Sequence, residues 1–248
     1  CHGSVPIVPA AVLFDLPMVR DGDNPKIRPD AAAGYAACED ALYQKPLTAS
    51  ALRPMVTPMS GNVGAGAGAV IGKLFGLNRA MKGGIGHALV RVGPWQVAAM
   101  VACNAVGDVI DPLTGQALAG ARSSDGTRLL NTQQALLAGQ SASAPLSGTN
   151  TTIGVVATNA TLNKAQAKRL AMSAHDGLAR SIRPAHTTLD GDTLFAMATC
   201  AETTPADMML LTVMAAEATA QATVNAILFA NGVHTLKGFL PASLELNP

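Results

Sequence analysis

The sequence predicts a mixed α/β fold, of the α/β (α+β) kind, in a single domain over 1–248. Three observations carry this expectation. Two compact apolar runs, Ile153 to Ala160 (IGVVATNA) and Thr193 to Thr199 (TLFAMAT), read as buried strands. Between them Ala167, Leu170, Ala171, Ala174, Leu178 and Ile182 recur at helical spacing, which predicts an amphipathic helix over 164–182. A long apolar helix is predicted over 205–230, with Asn231-Gly232 as its stop. Residues 151–248 therefore read as a strand–helix–strand–helix unit.

The earlier part of the chain is less regular. It opens Cys1-His-Gly-Ser-Val-Pro, without an initiator methionine or a signal-peptide pattern. It enters the apolar run 5–16 (VPIVPAAVLFDL) as if joined mid-domain. A buried strand is expected there, with the true start of the protein upstream. Residues 17–60 are rich in turn chemistry (DGDNPKIRPD), with a short helix over 31–43. A glycine-rich run follows at 61–68. Strand-like stretches near 85–93 and 95–103 flank Gly93-Pro94, which suggests a hairpin. Residues 112–150 are small and polar and read as a surface loop or linker.

Composition narrows the function. Net charge is +1, and aromatics are 3% of the 248 residues. Neither an electrostatic footprint nor a stacking surface for nucleic acid is present. Hydrophobic residues make up 49% and charged residues 13%, which excludes a disordered chain. The most apolar helical stretch, 208–216, is short and flanked by Asp207 and Glu217, so no membrane span is read. The cysteines Cys1, Cys38, Cys103 and Cys200 form no C-x-x-C pair. They are expected to be buried and reduced, which favours a cytoplasmic setting.

Several motifs fail. Gly72-Lys73 is followed by Leu74, and Ala67 stands where a P-loop needs its first glycine. Gly64, Gly66 and Ala69 fit G-x-G-x-x-A but follow a loop, so a dinucleotide site is not expected. The run reads instead as a turn whose backbone amides face an active site, with Lys73 at its end either functional or solvated. His175 and His186 have no metal-binding partners in sequence and read as structural; no metal or other cofactor is expected. The positional signal lies elsewhere. A small-residue loop runs into Asn150-Thr151-Thr152 and then a strand. Asp190-Gly191-Asp192 opens the next strand. If the two strands are sheet neighbours, both carboxylates come near the Thr151 hydroxyl. On these residues alone an ordinary loop–strand junction is the stronger reading of Asn-Thr-Thr, and a plain turn remains open for Asp-Gly-Asp.

GTNTTIGVVATNA, the helix containing Lys168-Arg169-Leu170, and RPAHTTLDGDTLFAMAT together resemble the L-aminopeptidase/D-esterase (β-aminopeptidase) family. Within it the similarity is greatest to the nylon-oligomer hydrolases, which cleave 6-aminohexanoate amides. The resemblance covers about residues 5–235. It implies a four-layer α-β-β-α sandwich of the kind shared with ornithine acetyltransferase, here incomplete at its N-terminus. It also implies a precursor that cuts itself between Asn150 and Thr151. Residues 1–150 would then be the C-terminal part of the α subunit and 151–248 the β subunit. Carried over by position, Thr151 is the nucleophile, Asp190 and Asp192 orient it, Asn104 supports the oxyanion, and Lys73 lies near the nucleophile. Phe14 stands in the substrate site where the family often has a tyrosine.

The chemistry suits those residue types. A threonine hydroxyl needs a base, and a new α-amine, with a reference pKa of about 7.7–8.0, can serve its own side chain. The resemblance implies a small peptide or amide substrate: small-residue or β-amino peptides, D-amino-acid esters or nylon-type oligomers. It implies a homo-oligomer, a tetramer, as the assembly. Acyl transfer of the ornithine acetyltransferase kind, and an inactive family fragment, are the alternatives.

Overall fold

The computed structural model describes residues 7–24, 26–43, 58–143 and 149–246. Helix α1 (Ala31–Tyr43) precedes two short strands, β1 (Val70–Ile71) and β2 (Met81–Lys82). Next come the long hairpin β3 (Gly84–Val92) and β4 (Trp95–Cys103), the short β5 (Asp108–Ile110) and β6 (Ala117–Ala119), and helix α2 (Thr132–Leu137). Then follow β7 (Ile153–Ala160), α3 (Lys164–Ser181), β8 (Ile182–Arg183), β9 (Thr193–Glu202) and α4 (Met208–Leu228). A last hairpin, β10 (Val233–Thr235) and β11 (Gly238–Leu240), leads to α5 (Ser243–Leu246).

The main sheet has the order β3-β4-β7-β9, and a second has the order β6-β5-β8. Gly93-Pro94 turns the β3–β4 hairpin, with Gly93 at φ 55°. β7 and β9 pair in parallel, Ile153 opposite Thr193, so they need a crossover, which α3 supplies. Parallel pairing sets the two strand starts side by side. A bridge from Asn150 to Asp190 extends the pairing beyond the strands. This register builds the site.

Small residues explain the packing of α3 and α4 on one sheet face. A Cβ on Gly86 would lie 2.2 Å from the Ala222 carbonyl oxygen, so α4 rests with its backbone on β3. A Cβ on Gly177 would lie 2.3 Å from the Ala216 oxygen, which brings α3 equally close to α4. Ala215, Ala218, Ala222 and Ala226 fill that seam with Val97, Val101, Val156 and Leu170. Asn163 and Gln166 form a capping box that starts α3, and the Asp207 side chain caps α4. The opposite sheet face carries Ile85, Met100, Ile153, Val155 and Phe195 along a groove edged by Pro9 and Ala10. Leu89 and Met197 on that face are 38% and 54% exposed. Among the described residues, helices cover one face only, so the expected sandwich is represented by one helix layer and one four-stranded sheet.

Several expectations are corrected. Residues 7–15 form no strand, and Ile7, Val8 and Val12 are largely exposed. Pro9 has no N–H for a ladder, and the run pairs with no strand among the described residues. The stretch 112–150 is not a bare linker, because it holds β6 and α2. Buried Asp108 ties it down: it accepts from the Thr132 amide and hydroxyl, both at 2.6 Å, and from the Ala121 amide at 2.8 Å. Residues 144–148 of that stretch lie outside the described residues. Cys103 is buried, but Cys38 and Cys200 are exposed, and Cys1 lies outside the described residues. No helix among the described residues is long and apolar enough to cross a membrane.

Candidate active site

The Asn150–Thr151 junction is buried at the head of β7. Asn150 and Thr152 have no exposed surface, and Thr151 is 6% exposed. The backbone is held residue by residue. The Asn150 carbonyl accepts from the Gly191 N–H at 2.8 Å. The Thr151 N–H donates to the Asn104 carbonyl at 3.2 Å, and the Thr152 carbonyl accepts from the Thr193 N–H at 3.0 Å. Glycine leaves room opposite the junction. A Cβ on Gly191 would lie 3.1 Å from Thr151 Oγ1 and 3.8 Å from the Asn150 oxygen.

Asp190 pairs with Asn150 through its backbone, while Asp192 reaches the junction with its side chain. Asp192 Oδ1 accepts from the Thr152 N–H at 2.9 Å, and its Oδ2 meets His186 Nδ1 at 2.9 Å. Asp190 Oδ2 accepts from the Thr187 amide and hydroxyl at 3.1 and 2.7 Å, and its Oδ1 from the Val106 amide at 3.4 Å. Burial raises the Asp190 carboxyl above the usual carboxylate range; the Thr187 hydroxyl opposes this and Asp192 reinforces it. Among the described residues, neither carboxylate hydrogen-bonds the Thr151 hydroxyl.

Lys73 and Asn104 form the other wall. Gly72 turns the chain at φ 67°, where a Cβ would lie 2.2 Å from the Ala121 nitrogen, and so aims Lys73 inward. Lys73 Nζ donates to the Asn104 carbonyl and Oδ1, each at 2.9 Å, and to the Thr149 carbonyl at 3.2 Å. Burial pushes its pKa down to about 7, against the pull of Cys103 and Asp190. Asn104 Oδ1 also accepts from the Val70 N–H at 3.0 Å. Asn104 Nδ2 points at the Thr149 carbonyl at 3.3 Å, one residue before the junction, and at the Phe14 carbonyl at 3.5 Å. Both lie beside a cavity of about 220 Å³, whose apolar wall is Phe14, Met18, Val70 and Leu77 and which Asn150 closes. Among the described residues, no three His, Cys, Asp or Glu side chains cluster as a metal site requires.

The family model of peptidase family S58 matches residues 2–240. The chain belongs to this peptidase family. It is 46% identical over 199 residues to an uncharacterized aminopeptidase of Mycobacterium leprae, covering 79% of this chain and 50% of that one. It is 32% identical over 196 residues to the 6-aminohexanoate-oligomer endohydrolase of a Kocuria species, covering 78% and 50%. The chain thus spans about half the length of these relatives. Among solved structures, the β-aminopeptidase of a Burkholderia species superposes with TM-score 0.52 at 24% identity, over 77% of this chain and 54% of that one. The L-aminopeptidase D-Ala-esterase/amidase of Ochrobactrum anthropi, described as a variant among the Ntn hydrolase fold, superposes with TM-score 0.51 at 23% identity, over 75% and 50%. This likeness shows a shared fold.

The structure of this S58 member also brings in groups that sequence reasoning passed over. The Gly191 amide has no side-chain signature. Thr187 precedes Asp190 by three residues, a local spacing at which a hydroxyl serves a nearby carboxylate. Lys82, fully buried, donates to the carbonyls of Gly66, Ala69 and Gly83 at 2.7–2.8 Å and anchors the glycine-rich turn. His186, expected to be structural, contacts the Asp192 carboxylate. The Cys103 thiol is pushed up to about 12 by burial.

Proposed function

We propose that the chain carries the self-cleaving junction and catalytic centre of an N-terminal threonine amide hydrolase, with Thr151 as nucleophile and Asn150–Thr151 as the scissile bond. One observation carries this reading. The Asn150 carbonyl oxygen already receives the Gly191 N–H at 2.8 Å, and the missing Gly191 side chain leaves room for Thr151 Oγ1 beside it. A donor already on this carbonyl oxygen is placed to follow it as negative charge develops there.

The Thr151 hydroxyl adds to the Asn150 carbonyl carbon, and negative charge grows on the oxygen facing Gly191. The carbon–nitrogen bond then breaks, and the hydroxyl proton ends on the departing nitrogen. Water opens the resulting ester, leaving an Asn150 carboxyl group and a free Thr151 amine. That amine is the base for later rounds, in which a substrate acyl group takes the place of Asn150. Asp192 holds the Thr152 amide and so steadies the strand start. The lysine and asparagine on the opposite wall bind the chain preceding the scissile carbonyl. The apolar cavity suits a small acyl group, as in small-residue or β-amino peptides and 6-aminohexanoate amides. The centre works without a cofactor, in a homo-oligomer, and by family resemblance that oligomer is a tetramer.

The test uses the whole encoded protein. Its smaller product should begin Thr-Thr-Ile-Gly on N-terminal sequencing. Thr151→Ala should stay uncut and inactive, Thr151→Ser should keep part of both activities, and Thr152→Ala should still mature. Cleavage that survives Thr151→Ala but not Thr152→Ala would move the nucleophile by one residue and overturn this assignment.

A further inference from the structure

We infer that His186 is a positioning residue of this site: its imidazole holds the Asp192 carboxylate against the Thr152 amide and thereby fixes the strand start that carries Thr151. The inference rests on the reading of Thr151 as nucleophile.

The geometry is a relay of three contacts. His186 Nδ1 lies 2.9 Å from Asp192 Oδ2, and Asp192 Oδ1 takes the Thr152 N–H at 2.9 Å. The Asp192 side chain is 5% exposed, while that of His186 is 37% exposed. A nearly buried carboxylate must have its oxygens satisfied, and His186 alone serves Oδ2 among the described residues. The other ring nitrogen, Nε2, lies 3.4 Å from the His175 carbonyl oxygen. Both nitrogens thus face oxygen atoms. Asp192 faces the ring from its own loop, and His175 from α3. The His175 ring packs at 5.1 Å between centroids, and its pKa is held down by burial first and by His186 second.

The backbone adds an independent sign. His186 sits at φ 54°, a left-handed conformation uncommon for a non-glycine residue. Strain of this kind persists where the surroundings over-determine a side chain, here by the contacts to Asp192 and His175. It also supplies a clean test. His186→Gly removes the ring and relieves the backbone, so the fold should be retained. His186→Asn keeps a donor at the Nδ1 position and tolerates the left-handed conformation.

The experiment measures self-cleavage and amide turnover of the whole encoded protein in wild-type, His186→Gly and His186→Asn forms, with thermal melts as a check on folding. His186→Gly should still melt cooperatively, because relief of the left-handed backbone offsets the lost contact to Asp192. Its cleavage rate and kcat should fall roughly 10- to 100-fold with KM little changed, as expected when a reacting group loses its orientation. His186→Asn, or added imidazole with the glycine variant, should recover most of the loss. Wild-type rates in His186→Gly, or a loss that neither asparagine nor imidazole recovers, would overturn the role of His186 while leaving Thr151 in place. A wild-type protein that never cleaves before Thr151 removes the nucleophile assignment itself, and the inference falls with it.

Discussion

Replacing Gly191 by alanine adds one methyl group beside the junction. That methyl would lie 3.1 Å from Thr151 Oγ1, 3.8 Å from the Asn150 oxygen and 3.9 Å from Thr151 Cγ2. Gly191 is not in the left-handed region, so the alanine backbone is unstrained and the fold should hold. The contact with Oγ1 is a few tenths of an ångström too short, and Thr151 must give. Threonine is stiff at χ1, and a rotation of about 30° off its well costs about 0.5–1.5 kcal/mol. On the reacting atom that is about a two- to tenfold slower step. If the shift also breaks the Gly191 N–H bond to the Asn150 carbonyl, a further loss of about 10²–10³ follows, the usual value of one oxyanion donor. The assay is a gel time course of freshly made protein, with a thermal melt alongside. Self-cleavage of Gly191→Ala within twofold of wild type would refute the argument that this amide faces the reacting carbonyl.

Two further outcomes are expected. Asp192→Asn and Asp190→Asn should each fold but lose turnover by about 10² or more, because the charge that orients the junction is gone; unchanged kinetics in both would reduce Asp-Gly-Asp to a turn. Stability should rise with pH from about 7 toward 10, because burial lowers Lys73 to about 7 in the fold while the unfolded side chain binds its proton up to its ordinary value of 10.5. Lys82, also lowered to about 7 by burial, adds to the same slope. Lys73→Met should flatten the rise in denaturant melts at pH 7 and 9.5; an unchanged slope would mean that Lys73 is not titrating in the fold.

What the sequence determined by itself is local. Hydrophobic period and capping chemistry are properties of ten to twenty neighbouring residues, so β7, α3, β9 and α4 were legible within a few residues of their ends. The same local reading misjudged 5–16, because apolar composition does not say whether a partner strand exists to pair with it. It missed the tether of α2, because Asp108 lies 24 residues from the Thr132 it binds. At the site, the motif words marked Thr151, Asp190, Asp192, Asn104 and Lys73 as candidates, yet their geometry belongs to the tertiary structure. Only the parallel register of β7 with β9 puts the Gly191 amide on the Asn150 carbonyl, and a backbone N–H leaves no trace in composition. Only burial tells a lowered Lys73 from a solvated one, and only the fold of the 183–192 loop turns His186 toward Asp192. Propensity acts along the chain, whereas a hydrogen bond between distant residues depends on how the elements pack.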